Sequence, residues 1–190
     1  MKKILECQQK HQNTYFQRTA GEGCNMDNII AKIASISDVD IIKTIYNEAR
    51  TFGRSSGSCD WTDDYPNDEI INYDMEHNYL YIVYSGEKPI ALFSLMDTDD
   101  LDNEPLNWTQ VKSGVPARIC IAPQLQGKGY GKKIMHELIQ VAKQRGYQSL
   151  RLLADKKHTP ANKLYQSLNF QYKGAAHLYE TDFNAYELIL

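Results

Sequence analysis

The run Gln126-Gly127-Lys128-Gly129-Tyr130-Gly131 is the segment of this sequence best suited to chemistry. Three glycines at alternate positions tolerate positive φ and let another group approach the main chain closely. Ile134, Leu138 and Val141 follow on one helical face, so the run opens a helix. The first N–H groups of a helix lack partners within it, and the dipole places positive charge there. A phosphate or diphosphate fits such a turn. Lys128, Lys132 and Lys133 add charge of the right sign. Spacing excludes two common phosphate binders. Only three residues separate Gly127 from Gly131, and Lys133 stands where a P-loop needs Ser or Thr. The third glycine also comes one residue too early for the dinucleotide fingerprint. A tight strand-to-helix turn with no ligand would use the same residues.

The surrounding sequence supplies the elements that must hold this loop. Ala117 to Ile121 reads as a strand ending at Ala122-Pro123, and the helix after the loop stops at Gly146, a C-terminal cap. Ser149 to Ala154 is a further strand. Thr159 as N-cap and Pro160 in the first turn open a helix carrying Leu164 and Leu168. Phe170 to Tyr172 and Tyr186 to Leu190 close the chain as strands. Upstream, Ile29 to Ile36 suggests a strand. Ser37 and Asp38 then cap a helix that carries Ile41, Ile42, Ile45 and Tyr46 and fades by Gly53. Gly53 to Ser58 reads as a loop, and Asn67 or Asp68 caps a short helix over Ile70, Ile71 and Met75. Tyr79 to Tyr84 and Pro89 to Met96, joined at Ser85-Gly86, read as a hairpin, followed by an acidic loop from Asp97 to Glu104. Residues 1–27 show no period and read as an N-terminal extension before one domain, residues 28–190.

The bulk properties narrow the function classes. The 190 residues carry a net charge of −3, which argues against a dedicated nucleic-acid binder. Hydrophobic residues at 42% and charged residues at 24% are ordinary for a globular chain, which argues against wholesale disorder. Cys7, Cys24, Cys59 and Cys120 have neither CxxC spacing nor histidines at zinc-finger distance, so reduced thiols and no metal are expected. The polar N-terminus lacks a signal-peptide core, and no apolar run reaches membrane-spanning length. A cytoplasmic protein without nucleic-acid or membrane partners is expected.

Gln126-x-x-Gly129-x-Gly131 resembles the Q/R-x-x-G-x-G/A signature of the Gcn5-related N-acetyltransferases. Ala161 to Phe170 resembles that family's A-x-x-L-Y-x-x-x-G-F segment, with Asn169 in place of the usual glycine. The resemblance covers about residues 28–190. It implies an α/β (α+β) fold with a mixed, mostly antiparallel sheet of about 6–7 strands flanked by helices. It also implies a splay between the two central parallel strands. In that splay the backbone of Ile119, Cys120 and Ile121 would meet the pantetheine arm of acetyl-CoA. Gln126, Gly127, Lys128, Gly129, Tyr130, Gly131 and Lys132 would hold the diphosphate. The asparagine that often meets pantetheine is replaced by His158, and Asn162 is the nearest other amide.

By the same resemblance, Tyr165 is the general acid, and a phenol near pKa 10 is protonated at neutral pH. The Ile121 N–H would face the developing oxyanion. Asp97 is the first candidate for the general base; Glu104, Asp102, His158 and His177 are weaker ones. Acceptor pockets in similar proteins are built from the first helices and the last hairpin, so Trp61, Tyr65, Trp108 and Tyr186 are candidates to line one. Asp63, Asp64 and Asp99 would attract a cationic amine to such rings. The expected activity is acetyl transfer from acetyl-CoA to the primary amine of a small molecule, by direct attack in a ternary complex. The rival readings are a non-catalytic acyl-CoA-binding module and a peptide or protein N-acetyltransferase. Many relatives dimerise, so a homodimer is allowed.

Overall fold

The computed structural model describes residues 28–56, 61–62 and 64–190. The expected N-terminal extension, Cys7, Cys24, Cys59 and Asp63 lie outside them. Seven strands form one sheet in the order β1-β2-β3-β4-β5-β7-β6. They are β1 (Ile29–Ile33), β2 (Leu80–Ser85), β3 (Lys88–Met96), β4 (Ser113–Ile121), β5 (Ser149–Asp155), β6 (Gln171–Leu178) and β7 (Thr181–Ile189). Four helices accompany them: α1 (Val39–Ser56), α2 (Asp68–Glu76), α3 (Tyr130–Gln144) and α4 (Thr159–Ser167). Every strand pair is antiparallel except β4 with β5.

Both faces of the sheet are covered. Strand β3 is therefore buried along nearly its whole length and reads as a continuous apolar run rather than an alternating one. Helix α3 turns Ile134, Met135, Leu138, Val141 and Ala142 onto one face, where they meet Leu150, Leu152 and Ala154 of β5 and Tyr165 and Leu168 at α4. On the opposite face, Ile42, Ile45, Tyr46 and Ala49 of α1 pack with Ile71 of α2 on Leu80, Ile82, Leu92 and Cys120. The same side is completed by the 97–112 loop, which sets Leu101, Leu106 and Trp108 over Val115, Ala117, Leu153 and Ala185.

Several boundaries differ from the sequence-based expectation. The cap before α1 is Ser35, whose N–H and hydroxyl both donate to Asp38 Oδ2 at 2.8 and 2.7 Å. A short 3-10 turn, Ile36–Asp38, then leads into the helix, which continues through Ser56. His158 rather than Thr159 caps α4, its Nδ1 accepting from the Ala161 N–H at 3.2 Å. Strand β4 starts at Ser113, four residues before the expected Ala117. Gly114 and Pro116 hide this start, because neither favours a strand. Gly114 is required by packing: a Cβ there would lie 2.9 Å from the Tyr147 ring. Strands β6 and β7 are longer than expected, β6 running past Tyr172 to Leu178 and β7 starting at Thr181 rather than Tyr186, while Asn67, one of the two expected caps, caps α2.

Candidate functional site

Strands β4 and β5 pair only at Ser113–Ser149 and Gly114–Leu150. Beyond Gly114 they diverge, and β4 keeps its ladder to β3 alone. Pro116, which cannot donate to a ladder, stands where β4 has become an edge on its β5 side. The Ala122 N–H donates to Ile90 C=O at 2.9 Å, so antiparallel alternation turns the N–H and C=O of Ile121 away from β3, into the gap. The Ile121 carbonyl there accepts from Gln126 Nε2 at 3.1 Å, which ties the glycine loop to the end of the strand.

The loop is a short 3-10 turn, Pro123–Leu125, followed by Gln126 to Gly129. Gly127 and Gly129 adopt φ of +72° and +83°, the left-handed region that favours glycine. A Cβ at either position would meet nothing within 4 Å, so the space beside both is open. Gly131 has a different role. Its missing side chain lets α3 approach α4, since a Cβ would sit 3.2 Å from Leu164 Cδ2. Gly129 is the N-cap of α3 and has no side chain to cap it. The amides at this end of a 15-residue helix therefore face outward. With exposed Lys128 and Lys132 beside them, they present N–H donors and positive charge at the mouth of the splay.

Tyr165 lies on α4, buried against Phe170 and Tyr186 at ring separations of 5.6 and 6.1 Å. Its hydroxyl has no hydrogen-bond partner among the described residues. Burial pushes its pKa up to about 12, so the phenol keeps its proton at neutral pH. Asn162, one turn earlier, has every polar atom engaged. Its Nδ2 donates to Asp155 C=O and His158 C=O, and its Oδ1 accepts from Asn184 Nδ2 and the Tyr186 hydroxyl. The Asn162 amide thus clamps α4 to β5 and β7 and is not presented to the gap. His158 is held neutral mainly by burial, with its Nδ1 in the α4 cap.

On the other face, Arg118 sits at a β-bulge of β4. The register passes from Leu92–Cys120 to Ser94–Ala117, and Arg118 takes φ of +51°. The bulge puts Arg118 on the same face as Ala117 and aims its guanidinium at α2. Nε and Nη2 donate to the two oxygens of Asp74 at 2.8 Å each, and Ser94 Oγ donates to Asp74 Oδ2 at 2.5 Å. Nη1 approaches the Tyr65 hydroxyl at 3.5 Å. Trp61 and Tyr65 join here, in an edge-on series from Tyr46 to Trp61 to Tyr65 with centroids 5.9 and 5.7 Å apart. Sequence reasoning passed over Arg118 and Asp74. The signals were a charged residue inside an apolar strand and an aspartate one turn after Ile70 on the apolar side of α2.

The other expected site residues stand elsewhere. Asp97 follows β3 level with Gly114, at the closed end of the splay. It accepts from the Tyr147 hydroxyl at 2.5 Å and the Tyr79 hydroxyl at 3.0 Å. The Tyr147 bond, ahead of the opposing effect of burial, holds its carboxyl below the ordinary value. A cleft of about 460 Å³ lined by Thr109, Lys143, Tyr147 and Leu190 opens at that same end, away from the glycine loop. Trp108 is buried in the 97–112 layer with Arg151 over its ring at 5.2 Å. Tyr186 is buried in the sheet, its hydroxyl donating to Asn162 and accepting from Gln166. Asp102 pairs with Arg151 at 2.8 Å, and His177 pairs with Asp182 at the β6–β7 hairpin. No group of three or more possible metal ligands occurs among the described residues, and no described helix is long and apolar enough to cross a membrane.

The model of the acetyltransferase (GNAT) family matches residues 42–170. The chain is 26% identical over 103 residues to a tRNA(Met) cytidine acetyltransferase from Saccharolobus islandicus. That match takes in 41% of the chain and 14% of the relative, so the chain spans a small part of that protein. Among solved structures, a GNAT-family acetyltransferase from Streptococcus agalactiae superposes with a TM-score of 0.76 at 21% identity. It covers 88% of this chain and 99% of its own. Spermidine N-acetyltransferase from Vibrio cholerae, solved with CoA and spermine, gives 0.63 at 15% identity, over 85% of this chain and 95% of its own. The ribosomal-protein-S18-alanine N-acetyltransferase from Escherichia coli gives 0.62 at 16% identity, over 85% and 94%. The chain belongs to the acetyltransferase (GNAT) family.

Proposed function

We propose that this enzyme transfers acetyl from acetyl-CoA to the primary amine of a small molecule, in the cytoplasm, by direct attack within a ternary complex. The observation that carries this reading is the uncapped N-terminus of α3, with open space beside Gly127 and Gly129, at the mouth of the β4–β5 splay. These residues fit coenzyme A. The amides from Gly127 to Lys132 would hold its diphosphate, with Gln126 fixing the loop to β4 and Tyr130 anchoring α3 in the core. The splayed edge of β4 from Ile119 through Cys120 to Ile121 would receive the pantetheine arm. When bound, acetyl-CoA supplies a thioester carbonyl already activated for acyl transfer.

The chain's own groups then have defined tasks. The Ile121 N–H, turned into the gap, donates to oxygen charge that develops at the carbonyl. The Tyr165 hydroxyl gives its proton to the departing sulfur. The aromatic group of Trp61 and Tyr65, across β4 from α3, receives the acceptor. Monomer and homodimer are equally compatible with these roles.

The test is release of free CoA across a panel of amines and short peptides with the full-length chain. Tyr165→Phe should lower kcat by about 10²-fold while calorimetry finds acetyl-CoA binding unchanged. Unaltered kcat would remove Tyr165 from the chemistry. Turnover of peptides with none of free amines would move the acceptor to the protein class.

A further inference from the structure

We propose that Arg118 is a positioning residue for the transfer: anchored by Asp74 of α2, it holds the bulge that turns the Ile119 and Ile121 N–H groups into the β4–β5 splay. This rests on the acetyl-transfer reading above and adds to it a residue that acts through the backbone of β4.

Hydrogen-bond direction along β3 defines what the bulge does. The Leu95 N–H donates to Tyr79 C=O at 2.8 Å, on the β2 side, and Ile90 C=O accepts from the Ala122 N–H at 2.9 Å. By alternation, Ile90, Leu92, Ser94 and Met96 all turn toward β4. Opposite them stand Ala122, Cys120, Ala117 and Val115. The β4 residues facing β3 are thus odd-numbered before the bulge and even-numbered after it. Arg118 and Ile119 stand together opposite Phe93, and this extra residue changes the parity. If β4 ran on from Ala117 without it, Ile119 and Ile121 would direct their N–H and C=O groups at β3. Cys120 and Ala122 would then face the gap. The side chains carry the same signature. Ala117 and Cys120 lie on the α1 side of the sheet, whereas Ile119 and Ile121 pack against the α3 side.

Side chains, not backbone preference, hold this arrangement. Arg118 takes φ of +51°, a left-handed conformation that a residue with a Cβ disfavours. Such a conformation persists where the surroundings over-determine it. Here Asp74 of α2 accepts from Nε and Nη2 at 2.8 Å each, and Ser94 of β3 donates to Asp74 Oδ2. Met96 Sδ, also on β3, lies 2.9 Å from Nη2, and the Tyr65 hydroxyl lies 3.5 Å from Nη1. The guanidinium fork meets both carboxylate oxygens at once, a two-point fit that a lysine ammonium cannot reproduce. That fit fixes the plane of the guanidinium and, through a buried side chain, the conformation at its Cα.

The experiment uses two variants of the full-length enzyme. Arg118→Lys keeps a cation beside Asp74 but loses the two-point fit. Asp74→Leu with Arg118→Met removes both charges and leaves no orphan. In each, kcat should fall by about 10²-fold, the effect of misaligning or losing an oxyanion donor. Affinity for CoA, read by calorimetry, should change far less than kcat, because the glycine loop lies beyond the bulge. The infrared stretch of the isotope-labelled thioester carbonyl in bound acetyl-CoA, lowered by a hydrogen bond in the parent, should move up in both variants. A pair serving stability alone would leave kcat and this stretch at parent values in a folded variant, and that result overturns the proposal. A readout on the unliganded parent needs no variant. The Ile119 and Ile121 amides should exchange with deuterium faster than those of Cys120 and Ala122, and the reverse order overturns the proposal. Absence of acetyl-CoA binding by the parent overturns the acetyl-transfer reading instead.

Discussion

Replacing Asp74 by Asn tests the polar cluster beneath the bulge. The side chains of Asp74 and Arg118 are only 2% and 10% exposed, so the pair is mostly shielded from water. The carboxylate accepts three hydrogen bonds, two from the guanidinium and one from Ser94. Asn keeps the shape but offers one acceptor oxygen. Its NH2 group faces a guanidinium N–H or the Ser94 hydroxyl, and the cation loses its counter-charge. Breaking one partner of a buried pair costs about 3–5 kcal/mol. In a chain of this length that corresponds to a fall in Tm of roughly 6–20 °C. Replacing both partners with apolar residues, Asp74→Leu with Arg118→Met, should cost far less than the single change, because no orphaned charge remains. Thermal and urea unfolding of the parent, both singles and the double variant give the coupling directly. A single-variant loss under about 1 kcal/mol, or strictly additive effects, would show that water reaches the pair and that the bulge does not depend on it.

Two further outcomes follow from local geometry. Gly129→Ala should destabilise the fold by about 1–2 kcal/mol in urea, from backbone strain at φ +83° alone, because the added methyl has open space. An unchanged midpoint would show that the loop adopts another conformation. Glu187, buried among Lys173, Arg151 and Thr109, has its pKa lowered by the Lys173 and Thr109 bonds, which outweigh the upward effect of burial. A lowered folded-state pKa means that stability is fully present above the unfolded carboxyl value and is lost as pH falls through the folded one. Below about pH 4.5 stability should therefore drop, and Glu187→Gln should lose part of that acid dependence while being less stable at neutral pH. An acid limb unchanged by the substitution would place the titrating group elsewhere.

Much of the proposed acetyl-CoA side was legible in the sequence because it is local. The glycine loop, the helix behind it and Tyr165 one turn after Asn162 depend on contacts within a few residues. The phosphate recognition proposed there would use main-chain groups that any sequence permitting the turn will present. The proposed acceptor side was not legible in this way. Arg118 and Asp74 are 44 positions apart, and they meet only because a bulge in β4 shifts the register. In a strand, a one-residue shift moves every later side chain to the other face. The same dependence decided the rings and carboxylates. Trp61 and Tyr65 reached the bulge, while Trp108 and Tyr186 were drawn into the core, where their large apolar area is covered. Asp97 was set at the closed end of the splay, and Asp99, two residues on, became the cap of a 3-10 turn near Tyr179. Composition and spacing name residues able to do chemistry, but long-range strand pairing decides which of them share a site.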